Sequence, residues 1–386
     1  MTDTAPGQRL VSLDAFRGFT IAAMVLVNNP GDWGHLYSPL AHAKWNGWTF
    51  TDWIFPFFLF ICGVSMTFSL GRRAEGGDDR PQLLRQLCKR AALIFLIGLA
   101  LNLMPNFNFA TVRIPGVLQR IALCTLLAAP IVVYFNWRQQ CVWIAALLGV
   151  YSVLMLWVPV PDAEGRIAAG MLEPGRDFGA YIDRLLLDGH LWVQSKTWDP
   201  EGLVSTLPAL ATQLFGVLTG HWLLSAHAKA AKTAWMMLAG LLFLWTGAII
   251  DATVMPINKS LWTVSYSIFM AGWALLMFAG CYWLIDANDS PAVRDRSQRL
   301  LQPFTIYGMN ALFIFALSGF IAKMLGFIKF AQDGGGTVSL KGALYAPLQS
   351  LPIAPVNASL LFAILFNLAM FAVAWFMWKK KWFVKV

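Results

Sequence analysis

The sequence predicts an all-α integral membrane protein, built as a bundle of about ten transmembrane helices. Of its 386 residues, 58% are hydrophobic and only 13% are charged, whereas a soluble domain carries about 25% charged residues. The hydrophobic residues cluster in runs long enough to cross a bilayer as helices. Because these runs lack the alternation of barrel strands, helices are the structure that satisfies their backbone hydrogen bonds in lipid.

Ten apolar runs are predicted to span the bilayer. In chain order they are 11–29, 51–70, 88–104, 117–135, 141–158, 207–224, 233–250, 263–285, 303–325 and 358–378. We find no convincing internal repeat among them, which counts against a transporter built from two matching halves. The chain is therefore predicted to be a single transmembrane domain over residues 1–386, with longer outward loops at 159–206 and 326–357.

The basic residues predict the orientation of the bundle. They concentrate in alternate loops and in the C-terminal tail, at Arg72, Arg73, Arg80, Arg85, Lys89, Arg90, Lys229, Lys232, Arg294, Arg296, Arg299, Lys379, Lys380, Lys381 and Lys385. Cytoplasmic loops carry such an excess, so these segments and both termini are predicted to be cytoplasmic. The net charge of +9 is thus a topology signal, and we expect the lipid bilayer and no nucleic acid as a partner.

The most informative polar cluster lies directly before the second span. His42 is followed by Lys44, Asn46 and Asp52 at the start of this apolar run. A histidine at such a position is either a structural hydrogen-bonding group or a general base or nucleophile. Because no histidine pair has metal-ligand spacing, no metal site is predicted.

Polar residues near the ends of other spans are further candidates, because ionisable groups at membrane depth are costly and tend to face a cavity or a partner. Arg17 either pairs with Asp14 three residues earlier or serves a ligand. Asn28 either belongs to an ordinary helix stop or directs its amide into a cavity. Arg120 is either a paired or snorkelling cation or the partner of an anionic ligand.

Three more candidates have carboxylate or amide side chains. Asp199 and Glu201 either cap the following helix or receive a cationic amino group. Asn310 either bonds across helices or lines the site. We therefore treat Asp52, Asp199, Glu201 and Asn310 as candidate substrate-binding residues.

Several segments together resemble one family. They are Ser-Leu-Asp-Ala-Phe-Arg-Gly at 12–18, His-Ala-Lys-Trp-Asn-Gly-Trp-Thr-Phe-Thr-Asp-Trp-Ile-Phe-Pro at 42–56, Ile-Pro-Gly-Val-Leu-Gln-Arg-Ile-Ala at 114–122, Asp-Pro-Glu-Gly-Leu at 199–203, Ile-Asn-Lys-Ser-Leu-Trp-Thr-Val-Ser-Tyr at 257–266 and Tyr-Gly-Met-Asn-Ala-Leu at 307–312. In this order they resemble the heparan-α-glucosaminide N-acetyltransferase family of transmembrane acyltransferases, most of all bacterial members associated with N-acetylglucosamine use.

The resemblance implies an acetyl-CoA donor on the cytoplasmic side of a bacterial inner membrane and an amino-sugar or glycan acceptor on the periplasmic side. It implies that His42 is catalytic and that Asn28 acts with it. We take Arg17 and Arg120 as candidates for binding CoA. A sugar permease without chemistry and an O-acyltransferase acting on a cell-envelope glycan remain alternatives, and a homodimer is an assembly that the sequence allows.

Overall fold

The computed structural model of the protein describes residues 10–331 and 336–384. The extreme N-terminus, residues 332–335 of the predicted loop 326–357, and Lys385 of the predicted basic tail lie outside the described residues. Within the described part, most residues are helical. The helices are α1 (Val11–Asn28), α2 (Ile54–Met66), α3 (Arg72–Glu75), α4 (Arg80–Leu103), α5 (Val117–Tyr134), α6 (Trp137–Trp157), α7 (Phe178–Leu187), α8 (Thr206–Leu224), α9 (Lys229–Thr253), α10 (Val264–Tyr282), α11 (Pro291–Met309), α12 (Ala311–Phe327), α13 (Leu340–Gln349) and α14 (Pro355–Lys379).

Short elements extend or connect these helices. Two 3₁₀ turns, Ser38–Leu40 and Phe50–Trp53, precede α2, and π-helical turns at Thr67–Gly71 and Trp283–Ala287 follow α2 and α10. Two small antiparallel hairpins lie in the loops that are predicted to face outward. They pair β1 (Val160–Pro161) with β2 (Ile167–Ala168) and β3 (Lys329–Ala331) with β4 (Thr337–Ser339).

The predicted fold class is confirmed. Within the described residues, nine helices are long and apolar enough to cross a membrane, and a bent pair raises this number to ten. The predicted ninth span, 303–325, is this pair: α11 and α12 meet at Asn310 with a bend of 72°. The Asn310 side chain donates to Trp382 O at 3.0 Å and accepts from Val384 N at 2.9 Å. Its backbone is non-helical, so the helix ends there although the sequence remains apolar.

The order of the helices places the connecting loops at two ends of the bundle. The loops at 29–49, 104–116, 158–205 and 254–263 share one end, which we call the His42 face. Hydrogen bonds join them directly: Gly47 N donates to Ile257 O at 2.7 Å, and Ile114 N donates to His190 O at 3.0 Å. The turns at 76–79 and 225–228 and the tail at 380–384 lie at the other end, the opposite face. That the opposite face is cytoplasmic stays a prediction.

Helix α2, which begins at the candidate site, packs unusually closely against α8. A Cβ atom placed on Gly63 would lie 1.9 Å from Gln213 O, and one on Gly216 would lie 2.0 Å from Phe60 O. Glycine at both positions therefore lets the two backbones touch, as small residues do between membrane helices. Phe57 and Phe60 on α2 are almost fully buried in the same core, so the helix under the site is held on several sides.

Candidate functional site

A buried aspartate and a half-exposed histidine form the centre of the site. His42 Nδ1 lies 2.6 Å from Asp52 Oδ1, and the exposed fractions of the two side chains are 48% and 1%. An ionised carboxylate only accepts hydrogen bonds, so the pairing puts the imidazole proton on Nδ1. The lone pair of Nε2 is then left for chemistry, since one ring nitrogen fixes the state of the other.

The second oxygen of Asp52 is occupied by its own loop. Oδ2 accepts from Thr49 N at 2.9 Å, from Ala43 N at 3.1 Å and from the Thr49 hydroxyl at 3.2 Å. The bond to Thr49 N belongs to a capping box that starts the 3₁₀ turn before α2. The carboxylate of Asp52 therefore has two roles: it orients the imidazole of His42, and it caps the turn that leads into α2. Asp52 is buried against His42 and is not exposed to solvent.

Neighbouring segments hold the His42 loop in place. Trp45 Nε1 donates to Leu172 O at 2.8 Å, Asn258 Nδ2 donates to Asn46 Oδ1 at 3.1 Å, and the buried Tyr266 hydroxyl donates to Asp52 O at 2.6 Å. These bonds come from three separate parts of the chain. The site is thus built by the tertiary structure around a short sequence motif.

A second charged cluster lies on the same face. Arg113 Nε and Nη2 donate to the two oxygens of Asp199 at 2.8 and 2.6 Å, and Nη2 also donates to Glu201 Oε2 at 2.5 Å. Neither acid caps α8 through its side chain, and the cationic partner of both is a residue of the chain itself. Their assignment to an external amine stays a prediction, and the geometry supports a structural role.

The pKa values in this cluster follow from the pairing. Burial alone would raise the pKa of Glu201, but the charges of Arg113, Lys259 and Arg120 hold it below its ordinary value. Burial alone would lower the pKa of Arg113, but hydrogen bonds and charges from Asp199 and Glu201 raise it. Glu201 and Arg113 therefore each favour their charged form at neutral pH.

Arg120 has its partners inside the protein. It is 1% exposed and donates to Pro200 O at 3.1 Å and to Gly202 O at 2.8 Å. It also donates to the Ser205 hydroxyl, and its guanidinium lies 5.3 Å from the ring centre of Trp262. The CoA assignment stays a prediction, and these contacts favour the structural alternative.

Arg17, Asn28 and Asn310 lie at different depths. Arg17 is near the start of α1, where it donates to Asp14 at 3.0 Å and to the Ser65 hydroxyl at 2.6 Å. Asn28 ends α1 at the His42 face with an exposed side chain, whereas its neighbour Asn29 is buried and donates to Val25 O. Asn310 forms a hydrogen bond with the C-terminal tail. The tail follows the end of α14 that is remote from the His42 face, and α14 is about 37 Å long. The structure therefore does not bring Asn310 to His42.

A cavity of about 20 Å³ lies beside the cluster of Arg113, Asp199 and Glu201. It is lined in part by three buried residues that were not predicted from the sequence: Asp177, Asp183 and Tyr151. Burial raises the pKa of Asp177 to about 6. Burial and the nearby charges of Asp199 and Asp177 raise the pKa of Asp183 to about 7. Both acids lie in the segment 159–206, which carries charges of both signs. The sequence does not show which of these charged side chains become buried.

Lys259 and Arg113 were also missed as site residues. Each was visible as a lone cation in a loop that is otherwise poor in basic residues. The charge of Lys259 acts on both Asp52 and Glu201, so it links the two acidic groups of this face. Among the described residues, no group of three or more His, Cys, Asp and Glu side chains could hold a metal ion.

The fold and the site together define a multi-span α-helical membrane protein with an aspartate–histidine pair at one face. The sequence model of the family described as "Heparan-alpha-glucosaminide N-acetyltransferase, catalytic" matches residues 9–182, which include both members of the pair. This match agrees with the family that the motifs indicate, and the chain is similar to these N-acetyltransferases over this part of its length.

Two curated relatives cover most of the chain. The human heparan-alpha-glucosaminide N-acetyltransferase is 29% identical over an alignment of 361 residues that covers 80% of this chain and 52% of the human protein. The mouse protein of the same name is 28% identical over an alignment of 369 residues that covers 81% of this chain and 54% of the mouse protein. The chain thus spans about half the length of the curated relatives that it matches.

Proposed function

We propose that the protein is a transmembrane acyltransferase that moves an acetyl group from acetyl-CoA to the amine of a glucosamine-type amino sugar. The donor is supplied on the cytoplasmic side of the bacterial inner membrane, and the acceptor arrives at the His42 face. The observation that carries the proposal is the contact between His42 and the buried Asp52. The names of the family and of the human and mouse relatives support N-acetyl transfer as the reaction.

The geometry suits His42 Nε2 to two routes. In the first, Nε2 attacks the thioester carbonyl, the CoA thiolate leaves, and the acyl-imidazole passes its acetyl group to the amine. In the second, Nε2 takes a proton from the acceptor ammonium, the freed amine attacks the thioester carbonyl, and the C–S bond breaks to release the CoA thiolate. Asp52 stabilises the imidazolium of the second route and orients the ring in both.

Asn28 is proposed as a hydrogen-bond donor to the oxyanion that forms in either route. It lies at the end of α1 on the same face as His42, and its amide is exposed, so it is available to a ligand. One donor of this kind contributes about 3–4 kcal/mol to the stabilisation of a transition state. Its neighbour Asn29 is buried against its own helix and is not a candidate.

Arg17 is the better of the two CoA candidates. It lies towards the opposite face, where the basic loops predict the cytoplasm, and 23% of its side chain is exposed. Arg120 lies at the His42 face and is enclosed by carbonyl groups and Trp262. We therefore expect Arg17, and not Arg120, to affect the apparent affinity for acetyl-CoA.

Release of CoA by the purified protein, with glucosamine as acceptor, tests the proposal. We expect the rate to fall by about a hundredfold or more in His42→Ala, because general base or nucleophilic catalysis is lost. His35→Ala is a matched control: His35 Nδ1 lies 2.7 Å from Asp32 Oδ2 on the same loop, but both side chains are exposed. Full turnover in His42→Ala would contradict the catalytic assignment.

Further assays separate the routes and the alternative functions. Labelling of the protein by radioactive acetyl-CoA without acceptor supports the acyl-imidazole route, and an active preparation that stays unlabelled excludes it. Acetylation of hydroxyl acceptors alone would indicate an O-acyltransferase. Uptake of sugar by proteoliposomes without CoA release would indicate a permease.

A further inference from the structure

A recess between α8 and α9 lies far from the His42 site. Its volume is about 280 Å³, nearly twice that of an engineered apolar cavity of about 150 Å³ that binds benzene. Its lining is apolar except for one hydroxyl and the indoles, and consists of Phe215, Leu218, Thr219, Trp222, Trp235, Met236, Ala239, Phe243 and Leu275. The Thr219 hydroxyl is directed to Phe215 O in its own helix at 2.9 Å, so it offers no hydrogen bond that a ligand needs to satisfy.

The recess is open on one side and has aromatic side chains at both ends. Phe215 and Phe243 lie at one end, with their ring centres 5.0 Å apart. At the other end, Trp222 Nε1 donates to Lys232 O at 3.1 Å across the turn between the two helices. The exposed face of α9 continues beside the open side with Leu238, Leu241 and Leu242, residues that face lipid in a spanning helix.

The length of the recess suits an acyl chain. Its α8 lining runs from Phe215 to Trp222, a rise of about 10.5 Å along the helix axis, and the lining is apolar over this length. An acyl chain that lies along the recess therefore contacts about two turns of α8.

The end of the recess at Trp222 is basic. The turn at 225–228 and the first turn of α9 carry His227, Lys229 and Lys232, and no acid occurs between 222 and 250. Lys229 Nζ donates to the backbone carbonyl of Asp286 at 2.9 Å, and an ammonium has two further N–H groups. The nearby Asp286 carboxylate accepts from Ser12 N. Lysines at the edge of a span attract anionic lipid headgroups.

We propose that this recess binds one acyl chain of an anionic phospholipid from the leaflet at the opposite face, with Lys229 beside its phosphate. The site is independent of the acetyl-transfer function proposed above. A bound chain fills the space between α8 and α9 and covers Met236 and Leu275, which form its floor. The lipid thereby completes the packing of two helices that the protein leaves apart.

Photolabelling of the full-length protein in nanodiscs tests the proposal. The probes are phosphatidylglycerol and phosphatidylcholine, each with a diazirine on one acyl chain, and labelled peptides are mapped by mass spectrometry. We expect label on 215–222 and 235–243, with phosphatidylglycerol favoured about fivefold through Lys229. Lys229→Gln should abolish that preference. Equal labelling by both lipids would contradict the proposed preference for an anionic headgroup.

Filling the recess should displace the chain. Ala239→Phe adds the six carbon atoms of a phenyl ring to the recess, so labelling at the recess should fall by about tenfold or more. Ala239→Leu should give a smaller fall, and it keeps the test valid if the phenylalanine variant does not fold. Leu242→Phe, on the exposed face of the same helix, is the control and should change nothing. Three results would overturn the proposal. They are unchanged labelling in both Ala239 variants, labelling around Leu242 as strong as at the recess, and cross-links between two copies of the protein.

Discussion

The imidazole of His42 lies 2.6 Å from the carboxylate of Asp52, and one member of the pair is half-exposed while the other is 1% exposed. Burial of the carboxylate beneath the imidazole gives the ring one fixed orientation. It also leaves the opposite ring nitrogen accessible. The pair is positioned by α2, whose backbone touches α8 at Gly63.

Asp52→Asn should lower acetyl transfer by about a hundredfold while the protein stays folded, because the imidazole loses its anionic partner and the amide group no longer fixes its tautomer. The change also weakens the cap of the turn before α2, which is worth about 1 kcal/mol. Thr49→Val is the matched control, since Thr49 shares the cap but does not contact His42. Steady-state rates and thermal unfolding separate the effects, and equal loss of activity in both variants would refute the role of Asp52.

Arg113→Met should destabilise the protein by about 3–5 kcal/mol, because it leaves two buried carboxylates without their cation. Asp199 and Glu201 are both nearly fully buried. Adding Asp199→Asn and Glu201→Gln to Arg113→Met should recover most of the loss. Unfolding by heat in detergent measures this. A triple variant no more stable than Arg113→Met would show that the charges are not the cause.

The contribution of Asp183 to stability should fall as pH rises from about 4 to 7. The pKa of Asp183 is about 7 in the folded protein and about 3.9 in an unfolded chain. In this window the carboxyl group of Asp183 therefore binds more protons in the folded state than in the unfolded state, which makes its contribution to the slope of stability against pH negative. Over the whole window Asp183 accounts for about 4 kcal/mol.

Asp183→Asn should flatten that slope, measured as the unfolding temperature between pH 5 and 8. Asp188→Asn is the control, because Asp188 lies just beyond the same helix and is exposed. The other titratable groups are common to both variants, so their effects cancel in the comparison. The same slope in Asp183→Asn and wild type would contradict the assignment.

Gly216→Ala should lower stability by about 1–3 kcal/mol, since the new methyl would meet Phe60 O at 2.0 Å. The displaced α2 should also reduce acetyl transfer. Gly149→Ala is a suitable comparison because a Cβ there meets nothing within 4 Å, so it should stabilise α6 by about 1 kcal/mol. Similar unfolding temperatures for both variants would show that α2 and α8 are not in close contact.

Cysteine labelling tests the predicted orientation. In a background without native cysteines, Ser38→Cys at the His42 face should react with a membrane-impermeant maleimide in intact cells. Asp79→Cys at the opposite face should react only after the membrane is opened. Both residues are exposed. Reaction of both in intact cells would overturn the predicted topology.

Sequence patterns predicted the spans well because lipid imposes a length and a composition on each helix separately. The exception is instructive. The apolar run 303–325 looks continuous, yet the structure bends it at Asn310, because contacts with Trp382 and Val384, more than seventy positions along the chain, satisfy its amide. The hydropathy of residues 303–325 does not predict a contact with residues so far along the chain.

For the site, the sequence by itself determined which short segment carries His42 and Asp52 and which family it resembles. Only the tertiary structure decided which residues meet. Asp52 pairs with His42, whereas Asp199 and Glu201 form salt bridges with Arg113. The physical reason is that helix formation in lipid depends on local composition. Pairing of charges at the ends of helices depends instead on which loops the packed bundle brings to the same face.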